Sequence, residues 1–161
     1  RKCVGLDLGT KTGYAYTFDN NVHVEMSGVQ DFTPRRHEGG GMRMMRFSKW
    51  LEELLDGDGV ILFYEEIASH KGTHAAHIYG GLLGILQSYC EDHKIPYRGF
   101  PVGTIKKHAT RSPMSPAGRG NANKNDMVAH ASSRFGDVTS HDQADALWVL
   151  SLGLRELGEN K

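Results

Sequence analysis

A chain of 161 residues suits one domain, spanning 1–161, with a substantial hydrophobic core. Its 39% hydrophobic and 24% charged residues are those of an ordinary globular protein, and no apolar stretch is long enough to span a membrane. A soluble, intracellular protein is expected, its compartment left open; no signal-peptide pattern is visible, which decides nothing.

The formal net charge is zero and by itself says nothing about a polyanionic partner. Its distribution says more. Arg98, Lys106, Lys107, Arg111, Arg119 and Lys124 fall within residues 98–124 with no acid among them. Such a segment is either a local field that attracts a polyanion or a solvated basic loop. Cys3 and Cys90 lack metal-type spacing and are expected as buried free thiols.

Residues 2–8 form an apolar run interrupted by one acid, Asp7, and are expected as a buried strand. "GYAYTF" (13–18) and "NVHVEMSGVQDF" (21–32) read as two further strands joined by turns, so a three-stranded antiparallel meander is expected. In residues 42–55, Met44, Phe47, Leu51, Leu54 and Leu55 recur at helical spacing, and Gly57 and Gly59 end that helix. "VILFYEE" is apolar on both faces, as a central parallel strand would be. Residues 73–92 form a long helix whose Gly80, Gly81 and Gly84 suggest close packing on the sheet. "IPYRGF" gives a fifth strand, followed by a short helix near 102–110, a Pro/Gly/Ser loop at 111–120, and helices near 123–135 and 141–156. The order β β β α β α β α α α predicts an α/β domain with a mixed sheet flanked by helices.

The acids lie at telling places. Asp7 ends the first strand and Glu65 and Glu66 end the fourth. In "SHDQADALWVL", Asp142 and Asp145 are three apart on one helix face, with His141 beside them. Each acid alone has a plain explanation: a helix cap, a favourable first-turn charge, a strand end. If the first and fourth strands are neighbours, however, Asp7, one of the two glutamates and the helix acids converge. Carboxylates cannot share a small space without cations, because each raises the others' pKa. Oxygen ligands of this kind suit Mg²⁺ or Mn²⁺. Two such ions about 4 Å apart can clamp the attacking and leaving oxygens of a phosphodiester.

These stretches together resemble the RuvC family of Holliday junction resolvases, of the ribonuclease H-like superfamily. "GLDLGTKTGYA" is similar to the family's opening strand, "FYEE" to its second acidic strand, "TIKKHAT…GRGNANKNDMV" to its basic segment and "DQADALWVL" to its final acidic helix. The resemblance implies a ribonuclease H-like fold with a five-stranded mixed sheet, and a homodimer that nicks four-way DNA junctions symmetrically with two Mg²⁺ or Mn²⁺ per site. It implies Asp7, Glu65, Asp142 and Asp145 as the catalytic ligands, Glu65 being preferred over Glu66 by its spacing to Gly80 and Gly84. Lys106 and Lys124 stand at the family's lysine positions, Lys124 with a catalytic role. Lys107, Arg111 and Arg119 are further DNA-binding candidates, and Glu66 and His141 are candidates for a supporting or ligand role. The chain departs from the family pattern at Ala68, where an aromatic is usual, and in "RSPMSPA", which lengthens the basic loop.

Three other readings stand beside this one. A ribonuclease H-like nuclease with the same acids could cut flaps, other branched DNA or RNA–DNA hybrids. "DLGT" also resembles the phosphate turn of the sugar kinase, actin and chaperone ATPases, which usually duplicate their fold. A DNA-binding module without catalysis would leave the acid set unexplained.

Overall fold

A computed structural model describes residues 1–19, 23–110 and 123–159. β1 (Lys2–Asp7), β2 (Lys11–Phe18) and β3 (Met26–Asp31) form the antiparallel meander. α1 (Gly41–Leu54) leads to β4 (Val60–Glu66), and α2 (Thr73–Asp92) leads to β5 (Tyr97–Pro101). β4 lies between β1 and β5 and runs parallel to both, which completes a five-stranded sheet in the order β3-β2-β1-β4-β5. α3 (Val102–Ala109), α4 (Lys124–Phe135) and α5 (His141–Glu159) follow.

The two-residue period of the strands sorts the core into two layers. Val4 and Leu6 of β1 and Leu62 and Tyr64 of β4 face α1 and α2, where they pack with Phe47, Leu51, Leu82 and Leu86. Cys3 and Phe63 face the opposite way, towards Ile105, Met127, Leu147 and Leu150 of the later helices. Burying each of these large side chains contributes roughly 1.5–3 kcal/mol. Cys3 and Cys90 are both buried, and burial pushes the Cys90 thiol up to about 12, which keeps it inert at neutral pH.

α5 lies directly on the sheet because two strand glycines let it. A Cβ on Gly5 would stand 2.6 Å from the carbonyl oxygen of Ala146 and 2.7 Å from the amide of Leu150, and one on Gly13 would overlap the carbonyl of Asp142. Ser140 starts α5: its carbonyl accepts from Ala144 N–H at 3.0 Å and its hydroxyl oxygen from Gln143 N–H at 3.5 Å. Asp142 is therefore not needed as the cap. α4 begins with a capping box, Asn123 accepting from Asp126 N–H at 2.9 Å and Asp126 from Asn123 N–H at 3.0 Å. Trp148 of α5 donates its indole N–H to the Met127 carbonyl at 3.1 Å, which ties α4 to α5.

Three sequence expectations are corrected. The third strand starts at Met26, later than expected; just before it Glu25 N–H donates to the Tyr16 carbonyl at 2.9 Å and the Thr17 hydroxyl to the His23 carbonyl at 2.7 Å, and residues 20–22 lie outside the described residues. The fifth strand starts at Tyr97, since Pro96 has no N–H to give and serves only as acceptor for Leu62 N–H. The α2 glycines do not pack on the sheet. Gly80 and Gly84 face open space, and a Cβ on Gly81 would meet the end of Met44 in α1 at 2.6 Å. The predicted loop at 111–120 lies outside the described residues. Among the described residues, no helix is long and apolar enough to cross a membrane.

Candidate active site

β1 and β4 are neighbours, and their C-terminal ends meet the start of α5. Asp7 shares the face of Cys3, and Glu65 shares the face of Phe63, so alternation aims both acids at α5. Asp145 lies one turn into that helix. Carboxylate oxygens of Asp7, Glu65 and Asp145 lie within 4.8 Å of one another. Asp7 and Glu65 are buried, at 8% and 9% exposure, and Asp145 is half-buried. Glu66 sits at the opposite parity and is exposed, so it does not join them.

The acids open into a cavity of about 310 Å³ that is also lined by Lys106 of α3, Lys124 of α4, and His141 and Asp142 of α5. Ile67, Val102, Ile105 and Met127 supply its apolar walls. Asp142 lies outside the tight group of three but raises the pKa of both Asp7 and Asp145 through its charge. His141 Nδ1 lies 3.2 Å from the carbonyl oxygen of Lys124, a contact that links the first turns of α4 and α5.

The electrostatics are those of a site built for a cation. Burial first, then the charges of Glu65 and Asp145 and a hydrogen bond with Glu65, push Asp7 well above the usual carboxylate range. Burial, Glu65 and Asp142 push Asp145 up to about 7, although Lys124 and Lys106 pull it down. The two lysines thus offset only part of the repulsion. Buried like charges at this spacing are unfavourable unless a cation stands among them. The donors are all carboxylate oxygens, hard ligands of the kind that suit a divalent cation with oxygen coordination.

Of the expected site residues, Asp7, Glu65, Asp142, Asp145, Lys106, Lys124 and His141 line one cavity. Lys107 is exposed and does not line it, and Arg111 and Arg119 lie outside the described residues. Arg98, counted in the basic segment, pairs with Glu156 at 3.2 Å near the far end of α5. The sequence reading missed the apolar walls, whose residues carry no signal apart from ordinary core periodicity. It also missed Gly5 and Gly13, although a glycine inside a strand is a sign of close backbone approach.

The sheet order and its flanking helices define a ribonuclease H-like α/β fold. Within that class the chain is similar to solved RuvC structures. T. thermophilus RuvC in complex with a Holliday junction substrate superposes with a TM-score of 0.73 at 18% identity, covering 92% of this chain and 90% of that one. A further Thermus thermophilus RuvC structure gives 0.72 at 18% identity, covering 98% and 97%. No protein-family profile and no curated protein sequence matches the chain.

Proposed function

We propose that the chain is a divalent-metal-dependent endonuclease that resolves four-way DNA junctions by paired symmetric nicks. The observation that carries this reading is the buried group of Asp7, Glu65 and Asp145 at the ends of β1 and β4 and the start of α5. The likeness in fold to a protein solved with a Holliday junction substrate supports the choice of DNA.

Asp7, Glu65 and Asp145, with Asp142 beside them, would hold two Mg²⁺ or Mn²⁺ ions. Such ions supply an activated water and stabilise charge on the leaving oxygen. In the hydrolysis, water adds to phosphorus, the P–O bond to the leaving sugar breaks, and the leaving oxygen takes up a proton. Lys124 and Lys106 face the same cavity and bind the non-bridging oxygens, where charge builds in the transition state. Their contacts position the backbone without reading sequence. His141 holds the first turns of α4 and α5 together, and so holds Lys124 against the acids. Residues 1–161 act as one nuclease domain, and a two-fold junction is met by a homodimer with one site per subunit.

Ala68 favours a second reading, a broader branched-DNA, flap or hybrid nuclease. It is exposed just past β4, where an aromatic could pack on unpaired bases and a methyl group cannot. Cleavage of four-way, three-way, flap and RNA–DNA hybrid substrates in Mg²⁺ or Mn²⁺ separates the two. Paired nicks confined to four-way junctions support the resolvase. Equal or better cutting of the hybrid overturns it.

A further inference from the structure

Glu65 lies one residue past the last pair between β1 and β4, while β4 stays paired with β5 through Glu66. Leu62 donates its N–H to the Pro96 carbonyl on the β5 side. Strand alternation therefore turns the backbone groups of Glu65 and Ile67 the other way, towards β1. The pairing of β1 with β4 ends at Leu6 and Tyr64. Beyond that register the sheet offers the Glu65 carbonyl and the Ile67 amide no strand partner, and buried backbone groups left unmatched are costly.

One side chain from α2 takes both. The Tyr79 hydroxyl donates to the Glu65 carbonyl at 2.9 Å and accepts from Ile67 N–H at 3.1 Å. The ring is buried, at 7% exposure, in the layer under β1 and β4. Its face also carries the half-buried ring of His70, with centroids 4.9 Å apart. A single phenol therefore fixes the backbone of a carboxylate ligand, the wall residue Ile67 and the connection that continues through His70 to α2.

We infer that Tyr79 is a positioning residue for the metal site: its hydroxyl stands in for the missing strand and sets the reach of the Glu65 carboxylate towards Asp7 and Asp145. This rests on the reading of those acids as a metal site. Tyr79 does not itself line the cavity, so its effect passes through the backbone of Glu65 and Ile67, which do. An outer partner of this kind orients a ligand and so tunes metal affinity.

The test compares wild type with Tyr79→Phe, which keeps the ring and removes only the hydroxyl. Cys90→Ala, about three turns further along the same helix, serves as a control for a small core defect. Mn²⁺ affinity is read by calorimetry, the protection of the Ile67 amide by hydrogen exchange, and the metal dependence of junction cleavage by titration. Tyr79→Phe is expected to raise the Mn²⁺ Kd about tenfold or more, to speed Ile67 exchange at least about tenfold, and to move half-maximal cleavage to higher metal with the plateau rate within a few-fold. Cys90→Ala is expected to change none of these. An unchanged Kd or unchanged Ile67 exchange in Tyr79→Phe, or an equal loss in Cys90→Ala, overturns the inference. An unprotected Ile67 amide in wild type overturns it without any variant. If wild type binds Mn²⁺ but cuts no DNA, the proposed reaction fails while the affinity and exchange data still decide the role of Tyr79.

Discussion

Gly13 of β2 and Asp142 of α5 are in backbone contact, so that a Cβ on Gly13 would overlap the Asp142 carbonyl. Gly13 is also the strand partner of Asp7. One missing side chain thus brings the acids of α5 down beside the acid of β1. Gly13→Ala is expected to cost at least about 1–3 kcal/mol in urea unfolding, as overpacking does, and to weaken Mn²⁺ binding in calorimetry. Gly84→Ala, on the open side of α2, is expected to gain about 0.5–1 kcal/mol because its Cβ meets nothing.

The two adjacent glutamates provide a test of strand parity. Glu65→Gln is expected to lower cleavage by more than about a hundredfold, beyond what loss of a ligand's supporting partner costs. Glu66→Gln, on the exposed opposite face, is expected to stay within a few-fold of wild type. Single-turnover cleavage of both variants checks the assignment, and a larger loss for Glu66→Gln would reverse it.

How much of this was legible beforehand depends on the kind of signal. The order of elements along the chain followed from hydrophobic periodicity, and the acids stood out in apolar runs; their convergence hung on β1 and β4 being neighbours, which the sheet order supplies. The choice between Glu65 and Glu66 needed a resemblance, since parity is defined only once a neighbour fixes which face is which. Gly80 and Gly84 were misread for the same reason: spacing along a helix does not say what the face meets. The tie from Tyr79 to Glu65 is a side chain reaching backbone fourteen residues away, and no local pattern encodes it. The approach to β3 carries another such side-chain bond, from the Thr17 hydroxyl to the His23 carbonyl, which no local pattern encodes either.

Metal-free stability is expected to fall as pH rises. The folded pKa of Asp145 is about 7, above its ordinary 3.8, so the folded state holds a proton that the unfolded state has lost. The contribution is fully present below about pH 3.8 and is lost as pH rises through about 7, and Asp7 shifts in the same direction. Added Mg²⁺ should therefore raise Tm more at pH 8 than at pH 5, in thermal unfolding with and without chelator. An equal shift at both pH values would contradict the assignment of these acids as ligands.

Lys106 and Lys124 face the cavity and Lys107 does not. Lys106→Ala and Lys124→Ala are each expected to weaken junction binding and to reduce the slope of log K against log salt by about one. Lys107→Ala is expected to change the slope by less. Lys124→Ala should in addition slow cleavage at saturating DNA. Filter-binding or anisotropy titrations across a salt series measure the slopes.

The most direct test of the account is Asp7→Asn assayed on a four-way junction in Mn²⁺, with binding and cleavage measured on the same preparation. Asparagine keeps the shape and removes the charge that the buried cluster needs to hold a cation. The account predicts junction binding within a few-fold of wild type and cleavage reduced by more than about a hundredfold. Undiminished cutting by Asp7→Asn would contradict it.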